Sequence, residues 1–250
     1  MASLIDSIRE IKTDPFWLIK IVFFSAILFA VLYISYDYEP DDTSILILEG
    51  ALTLIFLGCA SVAMNRNINN KSPLFPGLFD ILEVIIKMIG STIAILPGLL
   101  IYYMCIVFVH NNFNFEPFTM YLIYTGVTII FSSFIFVPVV LYSAKGKLTD
   151  AFNIKNILNA AGNFSVQFMS FIIQYILIFC SITLLIYFTL LNMLGDNVSL
   201  LILKCIVIVV SFFSLFLFCS DLYGEVIIIP EPVKKKKLLN QNKNKKRKLN

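Results

Sequence analysis

Six long apolar runs dominate this chain, at about 16–36, 44–64, 90–110, 118–142, 165–190 and 199–222. Each is close to or above the roughly 20 residues that an α-helix needs to cross a hydrocarbon core about 30 Å thick. Inside lipid every backbone N–H and C=O must be satisfied within the segment, so runs of this length read as helices. The fold class is therefore all-α, a polytopic bundle of six transmembrane helices. A hydrophobic content of 59%, a mean hydropathy of +0.88 and a charged fraction of 14% exclude a soluble domain of this size, which needs far more polar surface.

The polar breaks between the runs alternate in charge. Segments 37–43, 111–117 and 192–198 hold no Lys or Arg. The N-terminus, the stretch 65–72 with the segment after it, residues 143–155 and the tail carry nearly all the basic residues. Lys and Arg are retained on the cytoplasmic side, so this pattern predicts a cell-membrane protein with both termini cytoplasmic. The net charge of +3 hides a strong asymmetry. Nine basic residues and no acidic one lie between Lys234 and Lys248, and the rest of the chain carries ten Lys/Arg against sixteen Asp/Glu.

Amphipathic stretches flank several runs on the basic side. In 3–12, Leu4, Ile5, Ile8 and Ile11 share one helical face and Asp6, Arg9 and Glu10 the other, which suits a helix lying on the membrane surface. Asp14-Pro15 offers an N-cap and an N1 proline for the first span. That span is too long for a signal-peptide core and no small-x-small site follows it, so it reads as an uncleaved anchor.

Residues 74–89 place Asp80, Glu83 and Lys87 on one face, with Glu83 and Lys87 spaced to pair, and read as a second surface helix. Residues 151–161, with Asp150 as N-cap, read as a third. The similar openings of Phe79–Gly90 and Phe152–Gly162 suggest a duplicated unit, or only shared interfacial chemistry. The chain divides into an N-terminal surface helix (1–15), a six-span membrane domain (16–229) and a disordered polybasic tail (230–250).

Pro73-Leu74-Phe75-Pro76-Gly77, the acidic helix after it and Ile95-Leu96-Pro97-Gly98-Leu99 form one set of motifs. Val137-Pro138 through Tyr142, followed by Asp150-Ala151-Phe152-Asn153-Ile154, forms another. With the six-span layout they make most of 16–228 resemble the prokaryotic domain-of-unknown-function family 4013. The resemblance implies an integral membrane protein and assigns no activity. The tail after Pro232 lies outside it.

Charged groups within spans are the first place to seek function, because an unpaired one in hydrocarbon is costly. Glu49 and Lys204 each stand about five residues in from the lysine-free side, roughly 7–9 Å deep at 1.5 Å per residue. Equal depth permits an intramembrane ion pair; the alternative is that each snorkels to the interface on its own. Gln167, Gln174 and Thr183 space polar groups along the fifth span, where such residues commonly stitch helices together.

No catalytic motif occurs, so the chain reads as a non-enzyme with no cofactor and no metal site. The histidine, His110, falls at an outer span end. Asp80/Glu83 and Asp221/Glu225 read as solvated carboxylate pairs. The cysteines, Cys59, Cys105, Cys180, Cys205 and Cys219, are odd in number, lie within apolar runs and form no C-x-x-C, which points to packing rather than disulfides or zinc.

The tail is the strongest interaction signal. Lys234, Lys235, Lys236 and Lys237, then Lys243, Lys245, Lys246, Arg247 and Lys248, can hold anionic phospholipid headgroups at about 1 kcal/mol per basic residue. The same polycation could dock to ribosomal RNA without sequence preference. The function expected from all this is a multi-pass protein that organises or binds other membrane proteins. The second expectation is a small permease or transport accessory using the outer Glu49–Lys204 region.

Overall fold

The computed structural model describes residues 3–37, 43–113, 116–194 and 197–227, and every regular element among them is helical. Helix α1 spans Leu4–Thr13, α2 Trp17–Asp37, α3 Thr43–Ile68, α4 Ile81–Asn112, α5 Pro117–Lys145, α6 Leu148–Ala151, α7 Ile154–Leu194 and α8 Asn197–Asp221. Segments of α3, α4, α5, α7 and α8 are each long and apolar enough to cross a membrane. The pair α1–α2, bent by 105° between its halves, makes a sixth when counted together. The chain is a multi-pass membrane protein.

Local chemistry explains where the helices begin and end. Ser3 caps α1, its hydroxyl accepting from the Asp6 amide at 3.2 Å, as side-chain oxygens at N-caps do. Pro117 opens α5, where a missing N–H costs nothing, and Gly146 closes it in a left-handed conformation at φ 71°, the backbone state glycine enters without strain. Beyond α8, Ile227 donates to the Leu222 carbonyl at 3.1 Å, one π-type turn that tucks Val226 and Ile227 against the bundle.

Three local expectations change. Asp14 closes α1 instead of capping α2, its amide donating to the Ile11 carbonyl at 3.2 Å. Asp150 lies within α6, and Asn153 takes the capping role before α7 by accepting from the Asn156 amide at 3.2 Å. The amphipathic stretches at 74–89 and 151–161 are not separate surface helices: 81–89 and 154–161 are the opening turns of α4 and α7, and 74–80 and 151–153 belong to the short segments before them.

The reason is visible in α4. Ile81, Leu82, Ile85, Ile86 and Ile89 are exposed, while Lys87 and Gly90 are buried. The apolar stripe meets lipid and the polar one meets protein, so one helix continuous with the span satisfies both.

The buried core lies towards the end carrying Arg66 and Lys145. Residues Phe56–Met64 of α3, Val137–Ser143 of α5 and Phe216–Ser220 of α8 are buried. Towards the lysine-free end, Leu46, Ile47 and Leu48 of α3, Phe118, Tyr121 and Leu122 of α5 and Ile202 of α8 are exposed. Rings join the tight end together: Phe75 meets Phe213 edge-on at 4.7 Å, and Phe171 meets Phe218 at 4.6 Å. Such pairs contribute about 0.5–1.5 kcal/mol beyond their burial.

Small residues set the helix spacing, as expected where lipid supplies no hydrophobic drive between helices. A Cβ on Gly58 would stand 2.8 Å from the Val84 carbonyl oxygen of α4, and one on Gly98 only 2.2 Å from the Phe134 carbonyl oxygen of α5.

Candidate functional site: a polar junction at the basic end

Four linked polar groups tie the tight end of the bundle together. The deepest lies between α3, α4 and α5. Ser61 and Ser143 share a hydrogen bond at 2.5 Å, and Ser91 donates to Ser61 at 2.8 Å. Lys87 donates to the Ser143 carbonyl at 2.8 Å, and its ammonium lies 5.2 Å from the Tyr142 ring centroid. Asn65 donates to the same carbonyl at 2.6 Å. All three serines are buried, and Lys87 is 9% exposed. A buried ammonium requires such acceptors, because desolvation without them costs several kcal/mol.

Gly90 makes room for this arrangement. A Cβ there would fall 1.9 Å from the Tyr142 ring, and the Tyr142 hydroxyl crosses the gap to donate to the Ile86 carbonyl at 3.1 Å.

The second group is Arg66, at the end of α3. Its Nη2 lies 2.9 Å from both Asp80 and Glu83, and its Nη1 donates to the carbonyls of Pro73 and Phe75 at 3.2 and 3.4 Å. The Gly77 amide, and after it Arg66, hold the Asp80 carboxyl below the usual carboxylate range. Glu83 thus turns to Arg66, and Lys87 turns inward to Ser143. The expected Glu83–Lys87 bond gives way because packing of α4 between α3 and α5 offers each a better-placed partner.

The third group pins the loop before α4. Asp14, 2% exposed, accepts from Lys20 at 2.6 Å and from the Phe75 amide at 2.8 Å. Lys20 also donates to the Phe75 carbonyl at 3.3 Å. One buried carboxylate therefore joins the α1–α2 corner to the loop.

The fourth group joins α1, α3 and α8. Asn67 Nδ2 approaches Glu10 Oε2 at 3.1 Å, and Ser220 Oγ and Asp221 Oδ1 each at 2.8 Å. Burial, then the charge of Asp221 and a hydrogen bond with it, push the Glu10 carboxyl up to about 7. At its other end α1 is held by its Leu4 amide, which donates to Gln174 of α7 at 3.0 Å.

The residues singled out from the sequence lie elsewhere, with partial exceptions. Glu49 is half-buried on α3 and Lys204 exposed on α8, and these two helices pack together. His110 is exposed at the end of α4 with its Nδ1 3.0 Å from the Tyr124 hydroxyl. The carboxylates of Asp80 and Glu83 are bound to one arginine rather than solvated. Gln174 does stitch helices, to α1. The tail residues Lys234, Lys235, Lys236, Lys237, Lys243, Lys245, Lys246, Arg247 and Lys248 lie outside the described residues, as does any contact they make.

Sequence reading placed Lys87 on a surface helix paired with Glu83, and missed Asn65 and the three serines. Helical phase held a usable signal, since Lys87, Ser91 and Ala94 recur at i, i+4 and i+7 on the buried face of α4. Among the described residues no three His, Cys, Asp or Glu side chains gather as a metal site would need. Chemically the junction can hold helices in register and exchange a proton. Compared with family models, with curated proteins and with solved structures, the chain matches none.

Proposed function

We propose that this protein is a non-enzymatic organiser or binding partner of other membrane components, working through its basic end. We place that end, with both termini, on the cytoplasmic side. The observation that carries the reading is the junction itself. Lys87, Arg66, Lys20 and Asp14 are engaged in bonds between segments of the chain, which makes the basic end a rigid platform. Catalysis would instead require a nucleophile or base held ready for a substrate.

The tail residues Lys234–Lys237 and Lys243–Lys248 add a polycation suited to anionic headgroups or to a ribosome surface beside the same platform.

A photo-crosslinking amino acid placed at exposed basic-end positions, Lys71 or Phe79, and at exposed opposite-end positions, Phe118 or Tyr121, tests this in native membranes. The reading expects discrete protein adducts from the first pair and lipid adducts alone from the second. Discrete adducts confined to the second pair would overturn it.

The second reading is a small permease using Glu49 and Lys204, favoured by the looser packing of the half that holds them. Solute flux in proteoliposomes that disappears in a Glu49→Leu, Lys204→Leu protein would establish it in place of the first.

A further inference from the structure

The two turns at the basic end use their charges differently. In the α3–α4 turn, Arg66 is 12% exposed and bound to Asp80 and Glu83. In the α5–α7 turn, Lys145, Lys147 and Lys155 are exposed. Lys145 approaches Asp150 at 3.9 Å, and among the described residues Lys147 and Lys155 join no ion pair or side-chain hydrogen bond. Apolar side chains stand out beside them: Phe152, Ile154 and Leu158 are all exposed, Ile154 at 68%. The scaffold beneath is fixed, since Ala151 is buried, Gly146 closes α5 and Asn153 caps α7.

Along the helix axes these residues lie beyond their neighbours. Phe171 of α7 meets Phe218 of α8 at 4.6 Å. From that contact the two helices run similar distances towards the lysine-free end, 23 residues to Leu194 and 21 to Asn197. Towards the basic end α8 stops 3 residues on, at Asp221, whereas α7 extends 17 residues back to Ile154. Phe136 of α5, which meets Phe168 of α7 at 5.4 Å, points the same way. It stands 9 residues from Lys145, and Phe168 stands 14 from Ile154.

At 1.5 Å per residue, α7 therefore starts about 8 Å past the end of α5 and about 20 Å past that of α8. The headgroup layer on each side of the hydrocarbon core is about 5–8 Å thick. The opening turns of α7 reach into that layer or beyond it.

Free lysines interleaved with exposed apolar groups at this height suit the headgroup layer. Ammonium groups there meet lipid phosphates, and apolar side chains reach the acyl boundary. An RNA partner would satisfy the lysines but leave Ile154 and Leu158 against water. We propose that the α5–α7 turn, with Lys147 and Lys155 at its centre, is a binding surface for anionic phospholipid headgroups, separate from the polybasic tail. It rests on the reading of the basic end as the end that meets partners, and the crosslinks at Lys71 and Phe79 test that reading separately.

Full-length protein carrying Trp17→Phe and Leu158→Trp has a single tryptophan, placed on this surface. It is reconstituted in vesicles of phosphatidylcholine and phosphatidylglycerol. Either lipid is brominated high on its acyl chains, and the two quenching curves give the relative occupancy of the two lipids beside the reporter. Phosphatidylglycerol is expected to be preferred about twentyfold at low ionic strength, roughly fivefold from each free lysine, and the preference should fade with added salt. Lys147→Gln and Lys155→Gln together, with the tail Lys234–Lys248 intact, should bring it near one.

No preference in the parent overturns the proposal. So does a preference that survives both replacements, which would place the anionic lipid on the tail. Binding of ribosomal RNA that the two replacements abolish, without any lipid preference, would assign the surface to RNA instead. Should Leu158→Trp unfold the protein, Ile154→Trp takes its place as the reporter with the same expectation.

Discussion

Replacing Gly98 with alanine should open the seam between α4 and α5. The new Cβ would stand 2.2 Å from the Phe134 carbonyl oxygen, 2.7 Å from its carbon and 3.1 Å from the Ile135 Cα. These are backbone atoms, so no change of rotamer relieves the overlap. The carbonyl faces α4 for a reason found in the sequence. In a regular helix Phe134 would accept from the residue four positions on, and that residue is Pro138, which has no N–H. The Gly98 backbone lies close against this carbonyl.

Restoring an ordinary separation requires the helices to part locally by about 1 Å. Overpacking of this kind costs about 1–3 kcal/mol, and alanine returns up to about 1 kcal/mol of helix propensity. The expected net loss is about 1 kcal/mol, or about 2–4 °C in midpoint for a chain of this size. Thermal exposure of the buried thiols Cys59, Cys205 and Cys219 to a fluorogenic maleimide in detergent measures it. Gly126→Ala and Gly162→Ala are matched controls, since a Cβ at either meets nothing within 4 Å. A Gly98→Ala protein that melts together with these controls would refute the reasoning.

Asp14→Ala strands Lys20 and the Phe75 amide and should lower stability by about 3 kcal/mol, read in the same thiol assay, with Asp14→Asn losing less because its one carbonyl oxygen still accepts from one of the two, which bond to separate oxygens of Asp14. Lys87→Met keeps the stem and removes the charge, so its midpoint should stay within about 1 kcal/mol of the parent; Lys87→Glu, facing the Ser143 carbonyl, should unfold well below it. For orientation, a reporter active only in the cytoplasm should be silent when fused at residue 40 or 195, and its activity at either site would reverse the assigned topology.

Much of the fold could be read from the chain because lipid imposes few solutions. Apolar runs of span length had to be helices, and those at 44–64, 118–142 and 199–222 lie within α3, α5 and α8 to within a residue. Where reading failed, it failed at junctions between water and lipid. Charges at Glu83 and Lys87 suggested a solvated face, since a polar stripe looks alike whether it meets water or a neighbouring helix. The loop Pro73–Gly77 and the Val137–Tyr142 segment turn out to border the junction. Their short apolar motifs gave no hint of the partners, Asp14, Arg66 and Lys87, that meet them.

By itself the sequence determined the solvent, the helical class and the alternation of charge along the chain, because hydropathy and Lys/Arg placement act locally and need no partner. Tertiary structure alone decided which polar groups meet. Asp14 reaches Phe75, Asn67 reaches Asp221 and Lys87 reaches Ser143 across 61, 154 and 56 positions of chain. Such pairings depend on how closely glycine and serine surfaces let helices approach, and that spacing is a property of two helices together rather than of either one.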